Sequence, residues 1–191
     1  MTPPPARLVL ASRSPQRRAI LETLGVPFVV RPADLVERTT GDPHEVALEN
    51  ALRKARAVSG SEARPVLGVD TLVALDGTIY GKPADARAAR ATLWALSGAR
   101  HLVVSGLALL VTGSAPRCAT AVTAVRFRTL DEPTIDWYVA GGEWRERAGG
   151  YALQSRGMAL VEAIDGDYAN VVGLPVAALL GLWPDLLAAG P

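Results

Sequence analysis

Cysteine and histidine are nearly missing from this 191-residue chain. A single cysteine, Cys118, excludes an internal disulfide framework and a Cys-rich zinc site. Two histidines, His44 and His101, cannot build a three-His metal centre. Any metal must therefore rest mainly on carboxylates, which favours Mg or Mn. A Ser-His-Asp device would have to recruit one of the two. His44 reads as the first turn of an exposed helix and His101 as a strand start, so neither is given a role. An excess of one charge is also absent: 20 basic and 19 acidic residues leave a net +1. That removes any whole-molecule attraction for nucleic acid or an anionic membrane and leaves room only for a local basic pocket. Aromatics are scarce at 5%, and no basic or aromatic stripe of a nucleic-acid module is present. No apolar run approaches the roughly 18 residues of a membrane span. Met1 to Arg7 is proline-rich and polar, without the charged start and apolar stretch of a signal peptide. The expected compartment is the reducing cytoplasm.

What the chain does have is apolar material for a core. Hydrophobic residues make up 49% and charged residues 20%, a globular composition. The length suits one domain over residues 1–191, with two lobes as a variant. Leu8-Val9-Leu10-Ala11 reads as a buried strand and Phe28 to Val30 as a second. Between them Ser14-Pro15 offers an N-cap and a first helical residue, and Gly25 a stop. Asp42-Pro43-His44-Glu45 has the form of a capping box, opening a helix to about Val58 with Ala47, Ala51, Lys54 and Val58 on one face. Val66 to Leu75 reads as a strand, turned at Asp76-Gly77 into Thr78-Ile79-Tyr80. Asp85 caps a further helix. Leu102 to Val111 and Ala119 to Phe127 read as an antiparallel pair, and Asp131 opens another helix. Tyr151 to Leu153 and Met158 to Ile164 read as strands, and Pro175 opens the last helix. Alternating strands and helices with hairpin-linked strands predict an α/β fold, a mixed sheet with helices around it.

Four stretches can carry chemistry. In Ser12-Arg13-Ser14-Pro15-Gln16-Arg17-Arg18 a strand end turns into a helix N-terminus, where free N–H groups, two hydroxyls and up to three guanidiniums favour a phosphate. The plain alternative is a capped helix with surface arginines, and the Gly-Lys-Ser/Thr end of a Walker loop is missing. Asp70-Thr71 lies within an apolar strand, where a carboxylate is costly unless paired or metal-bound. The alternative is a solvent-exposed strand end. Lys54 stands alone on an alanine-rich helix face, where it can also snorkel, and Lys82 sits in a stiff Gly81-Lys82-Pro83 loop that could place an ammonium near Asp70. Gly149-Gly150-Tyr151-Ala152-Leu153-Gln154, with Gly166-Asp167-Tyr168 and Asn170 to Pro175, combines glycines for close backbone approach with an amide at Gln154 suited to a base edge; turn chemistry is the alternative. Glu37, after Leu35-Val36, is an acid that follows an apolar pair.

Taken in order, these residues resemble the Maf family of nucleoside triphosphate pyrophosphatases, historically called septum formation inhibitors. The resemblance runs from about Leu8 to Leu182. Ser12-x-Ser14-x-x-Arg17 is similar to the family's Ser-x-Ser-x-x-Arg loop, Glu37 to its acid after the second strand, and Lys54 in Arg53-Lys54-Ala55 to its helix lysine. Gly68-x-Asp70-Thr71, Gly81-Lys82-Pro83, Gly150 to Gln154 and Gly166 to Pro175 resemble its remaining signatures.

The resemblance implies a two-lobed Maf/ITPase-like α/β fold around a twisted mixed sheet, often dimeric, with a cleft between the lobes. It implies hydrolysis of a nucleoside triphosphate to the monophosphate and diphosphate with Mg or Mn. It assigns Glu37 and Asp70 to the metal, Asp70 to general-base work, and Lys54, Lys82 and Arg17 to phosphate neutralisation beside the Ser12/Ser14 cradle. Thr71 and Gln154 resemble the branch acting on dTTP and UTP rather than the one acting on 7-methyl-GTP. Gln16 stands where the first branch usually carries arginine and the second an aromatic, and Ser155 where glycine is usual after the glutamine. Arg13 and Arg18 flank that position and can supply a guanidinium. Implied cellular roles are cleaning of the nucleotide pool and control of division. The competing readings are the same chemistry on other nucleotides and a non-catalytic regulator of septum formation.

Overall fold

A computed structural model of the chain describes residues 7–60 and 62–188. Among the described residues, seven strands make one mixed sheet: β1 (Leu8–Leu10), β2 (Phe28–Val30), β3 (Val66–Leu75), β4 (Thr78–Tyr80), β5 (Arg100–Leu110), β6 (Arg117–Phe127) and β7 (Val161–Asp165). Six α-helices surround it: α1 (Pro15–Thr23), α2 (Pro43–Ser59), α3 (Ala86–Leu96), α4 (Glu132–Ala140), α5 (Tyr168–Val172) and α6 (Val176–Leu182). The helix starts follow from their caps. Ser14 accepts from Arg17 N, Asp42 from His44 N and Glu45 N, Asp85 from Ala88 N and Asp131 from Thr134 N. Each satisfies a helix-end donor that would otherwise lack a partner. No helix of the described residues is long and apolar enough to cross a membrane.

Strand order is β2-β1-β3-β5-β6-β7, with β4 also paired to β3. The β2-β1-β3 end is parallel and the rest antiparallel. Strand β5 pairs with β3 from Val66 to Ala74. On the other edge of β3, β1 reaches only Leu67 and β4 begins at Val73. Residues 68–72 thus have no strand partner on that side among the described residues. The sheet is open there, and a strand with an open edge can present residues of both faces to one cavity.

The two faces of β3 are filled differently. Val66, Gly68, Asp70 and Leu72 face α2, where Ala51 and Ala55 pack with Val66, and Val46 and Ala47 with Leu72. Helix α2 lies close to the sheet: an added Cβ on Gly68 would come within 2.1 Å of Ala51 O, and one on Gly106 within 2.3 Å of Ala47 O. Only glycine allows that approach. The opposite face splits into two apolar clusters. Leu67 and Val69 pack with Leu21 of α1 and Leu179 of α6, whereas Val73 packs with Leu93 of α3 and Ile135 and Tyr138 of α4. Each buried leucine or valine contributes roughly 1.5–3 kcal/mol. Asp70 and Thr71 interrupt the apolar pattern between these clusters.

Two expectations need correction. Tyr151–Leu153 is not a strand: Ala152 N donates to the Tyr138 hydroxyl, and the Tyr151 ring enters an aromatic cluster with His101 and Phe127. The last strand starts at Val161 rather than Met158, which lies in a 3-10 turn over Arg156–Ala159. Helix α5 occupies the stretch for which turn chemistry was the alternative reading. Its Asp167 cap and the buried Asn170, which donates to Val103 O and Thr123 Oγ1, hold it against β5 and β6.

Candidate active site

One cleft of about 840 Å³ opens at the unpaired edge of β3. All ten residues singled out from the sequence line it: Ser12, Ser14, Gln16, Arg17, Glu37, Lys54, Asp70, Thr71, Lys82 and Gln154. Arg13 lines it too, in an exposed pair with Asp34, while Arg18 lies on the outer side of α1 near Glu22. Of the two flanking arginines, only Arg13 is placed to serve the cleft.

Its floor is a charge cluster. Lys54 Nζ lies 2.5 Å from Asp70 Oδ1 and 2.5 Å from Glu37 Oε1. Asp70 is 3% exposed and Lys54 7%. Its second oxygen, Oδ2, accepts from Asn50 Nδ2 at 2.9 Å. The cost of burying the carboxylate is met by a cation and an amide, both from α2, one turn apart. Glu37 comes from the loop between β2 and α2. Burial pushes its carboxyl up, but Lys54, Lys82 and Arg17 together hold it below the usual carboxylate range.

Beside this cluster the Ser12–Arg17 loop folds around its own arginine. Arg17 Nη1 donates to Ser12 Oγ at 2.8 Å, Nε to Gly173 O at 2.8 Å and Nη2 to Thr71 Oγ1 at 3.1 Å. Burial lowers the Arg17 guanidinium from its ordinary value, opposed by Asp70 and Glu37, and it remains a cation. Helix α5 matters here because it delivers the Gly173 carbonyl. Gln16 Oε1 accepts from the Ser14 hydroxyl. Lys82 approaches Glu146 Oε2 at 3.4 Å, so its partner is not Asp70. Its loop is tied to the far wall through Gly149 N, which donates to Gly81 O. A positive φ of 66° and Val73 within 2.7 Å of any added Cβ require glycine at 149.

The far rim carries Gln154, exposed. Its segment is pinned by two tyrosines: Tyr138 accepts from Ala152 N, and Tyr151 OH shares a hydrogen bond with His101 Nε2 at 3.0 Å. Burial pushes the Tyr151 phenol up and pulls His101 down to about 4, so the pair is neutral near pH 7.

Sequence reasoning missed Asn50, Arg145 and Arg147. The signal for Asn50 was an amide four residues before Lys54, among Val46, Ala47 and Ala51. Arg145 and Arg147 were hidden in an arginine-rich segment. With them, six basic and four acidic side chains line the cleft. A nearly neutral protein therefore carries a locally cationic pocket, suited to a polyanion.

The donor set also suits a hard divalent cation. Glu37 and Asp70 each place a carboxylate oxygen on the Lys54 ammonium, and Mg or Mn is commonly held by one or two carboxylates together with substrate phosphates and water. Among the described residues no third acid, histidine or cysteine joins them.

The family model described as Maf-like protein matches residues 7–185. The chain belongs to the Maf family. It is 46% identical over 173 residues to the dTTP/UTP pyrophosphatase of Symbiobacterium thermophilum, covering 89% of each chain. It is 40% identical over 181 residues to that of Pyrococcus furiosus, covering 92% of this chain and 93% of the other. Among solved structures it is similar to a HAM1 protein from Coxiella burnetii, with a TM-score of 0.49 and 19% identity over 80% of this chain and 90% of that one. The stretches that resemble the family in sequence line one cleft: the serine–arginine loop, Glu37 and Asp70, Lys54 and Lys82, and Tyr151 to Gln154.

Proposed function

We propose that this protein is a nucleoside triphosphate pyrophosphatase that hydrolyses dTTP and UTP to the monophosphate and diphosphate. The observation that carries the reading is the buried Lys54–Asp70 pair, joined by the partly exposed Glu37, at the floor of a cationic cleft, in a chain whose relatives are named dTTP/UTP pyrophosphatases. Cleavage between the α and β phosphates needs a water deprotonated as it attacks and a diphosphate stabilised as it leaves. Asp70 is the base: its carboxylate is held in one orientation by Lys54 and Asn50, and it takes the proton of the attacking water. Lys54, Lys82 and Arg17 neutralise the phosphates, and the Ser12/Ser14 turn cradles them. Glu37 and Asp70 are the residues that would hold a Mg or Mn ion, which supplies charge neutralisation on the phosphate oxygens and activates water. Thr71, Gln16 and Gln154 select the base. The two apolar clusters flanking Thr71 act as two lobes of a single domain. A cytoplasmic homodimer, with a role in cleaning the nucleotide pool or in cell division, completes the reading from the family resemblance.

The test is turnover of a panel of natural and modified nucleoside triphosphates with Mg, Mn or EDTA, with products separated chromatographically. Monophosphate and diphosphate from dTTP and UTP, lost with EDTA and falling by about 10³-fold or more in Asp70→Asn, are expected. Near-wild-type turnover in Asp70→Asn removes the base assignment. Turnover of 7-methyl-GTP or another nucleotide alone moves the specificity. No turnover of any nucleotide by folded protein leaves a binding protein.

A further inference from the structure

We infer that Asn50 is a positioning residue, through which helix α2 sets the loop carrying Glu37 against Asp70. The inference rests on the catalytic reading above and goes beyond it, because Asn50 lies behind the reacting groups. Asn50 is fully buried on the face of α2 that meets the sheet. Its amide makes three hydrogen bonds. Oδ1 accepts from Arg38 N at 2.9 Å, and Nδ2 donates to Arg38 O at 2.9 Å and to Asp70 Oδ2 at 2.9 Å. Turning the amide over would oppose like atoms at all three, so its orientation follows from its partners.

The consequence lies one residue away. Residues 31–40 form no helix or strand, so local structure does not fix where Glu37 sits. Asn50 grips the next residue, Arg38, by both its N–H and its carbonyl, as a neighbouring strand would. Lys54, one turn further along α2, grips the Glu37 carboxylate. Both residues also grip Asp70, one on each carboxylate oxygen. A single helix turn thus sets the spacing between a loop acid and a strand acid. Lys54 does so by charge, which a bound cation would compete with. Asn50 holds the Arg38 backbone through two neutral hydrogen bonds, which persist when the charges around the carboxylates change. Its role is therefore to keep Glu37 in place where a bound cation or phosphate would draw Lys54 away.

The test combines local exchange and kinetics on the full chain. Asn50→Leu keeps the branched shape and the number of heavy atoms and removes all three bonds. Hydrogen–deuterium exchange in peptides covering residues 34–41 should quicken about tenfold or more, while peptides from β3 and α2 keep wild-type protection. With dTTP, kcat should fall about tenfold with little change in KM. In a Glu37→Gln background the same substitution should cost several-fold less than in the wild type, because the part of its effect that runs through Glu37 is already lost and only the part through Asp70 remains. Asn50→Ser, too short to reach its partners, carries the same readouts if Asn50→Leu does not fold. Unchanged loop exchange, or an equal loss of kcat in both backgrounds, overturns the inference. If the wild type turns over no nucleotide, the pyrophosphatase reading falls, and loop exchange alone decides whether Asn50 orders the loop.

Discussion

Gly68→Ala tests the idea that the active site is set by how closely α2 lies on the sheet. A Cβ at this position would stand 2.1 Å from Ala51 O and 2.8 Å from Ala55 N, both backbone atoms that no side-chain rotation can move. To reach ordinary contact at 3.4 Å, the helix must retreat by about 1.3 Å. The bonds from Lys54 and Asn50 to Asp70, 2.5 and 2.9 Å long, cross the same interface two residues along β3. A retreat of that size takes both beyond hydrogen-bond range. Overpacking costs about 1–3 kcal/mol, and each lost bond to a charged group a further ~1.5–3 kcal/mol. The expected loss is about 4 kcal/mol or more, a large part of the ~5–15 kcal/mol by which a domain is stable. Urea unfolding followed by circular dichroism measures it, with nucleotide turnover alongside. Gly60→Ala is the control. At φ −58° with open space around it, it should be neutral or gain about 0.4–1 kcal/mol. A Gly68→Ala protein within about 1 kcal/mol of wild type and fully active would show that the helix accommodates the methyl and that its distance from the sheet does not set the site.

Lys54→Met leaves two carboxylates facing each other. Breaking a buried pair costs about 3–5 kcal/mol, and since Glu37 is one-third exposed and can rehydrate, about 3 is expected in chemical denaturation. A loss under about 1 kcal/mol would mean the acids do not depend on the ammonium. His101 gives a pH signature. Its folded pKa of about 4 lies below the ordinary 6.5, so the unfolded chain binds the extra proton first as pH falls. Its contribution is whole above pH 6.5 and drains by about 3 kcal/mol on the way to pH 4. Relative to wild type, His101→Gln should gain stability over that window, and parallel stability curves for the two proteins would refute the assignment. Gln16→Arg adds a guanidinium to a helix turn that lines the cleft, and should lower KM for dTTP and UTP several-fold. An unchanged KM would show that Arg13 and the other cations already serve the phosphates.

How much of this was legible depended on whether a residue's signal was local. The caps at Ser14, Asp42, Asp85 and Asp131 satisfy donors two or three residues away, so short sequence patterns sufficed. Strand β3 is bounded by Pro65 and by the Asp76-Gly77 turn, and its limits were read to the residue. Tyr151–Leu153 looked like a strand because its residues are apolar and aromatic, yet the Tyr151 hydroxyl spends its bond on His101, fifty residues earlier. No local pattern encodes that partner, and tertiary contacts overrode propensity. Helix α5 is five residues long, too short to show a period.

The same division runs through the site. Asp70 and Lys54 announced themselves because a charge among apolar neighbours must be compensated somewhere. Asn50 gave a weaker signal, since an amide on a helix is ordinary until its partners are known, and those partners lie 12 and 20 residues away. Residues that bear charge into a core betray themselves by what they would cost alone. Residues that position them carry no charge, are common on helix surfaces, and show their purpose only in three dimensions. A sequence reading will therefore find the reacting groups of such a site before it finds what holds them apart, and Asn50→Leu is the substitution on which the two kinds of residue can be told apart.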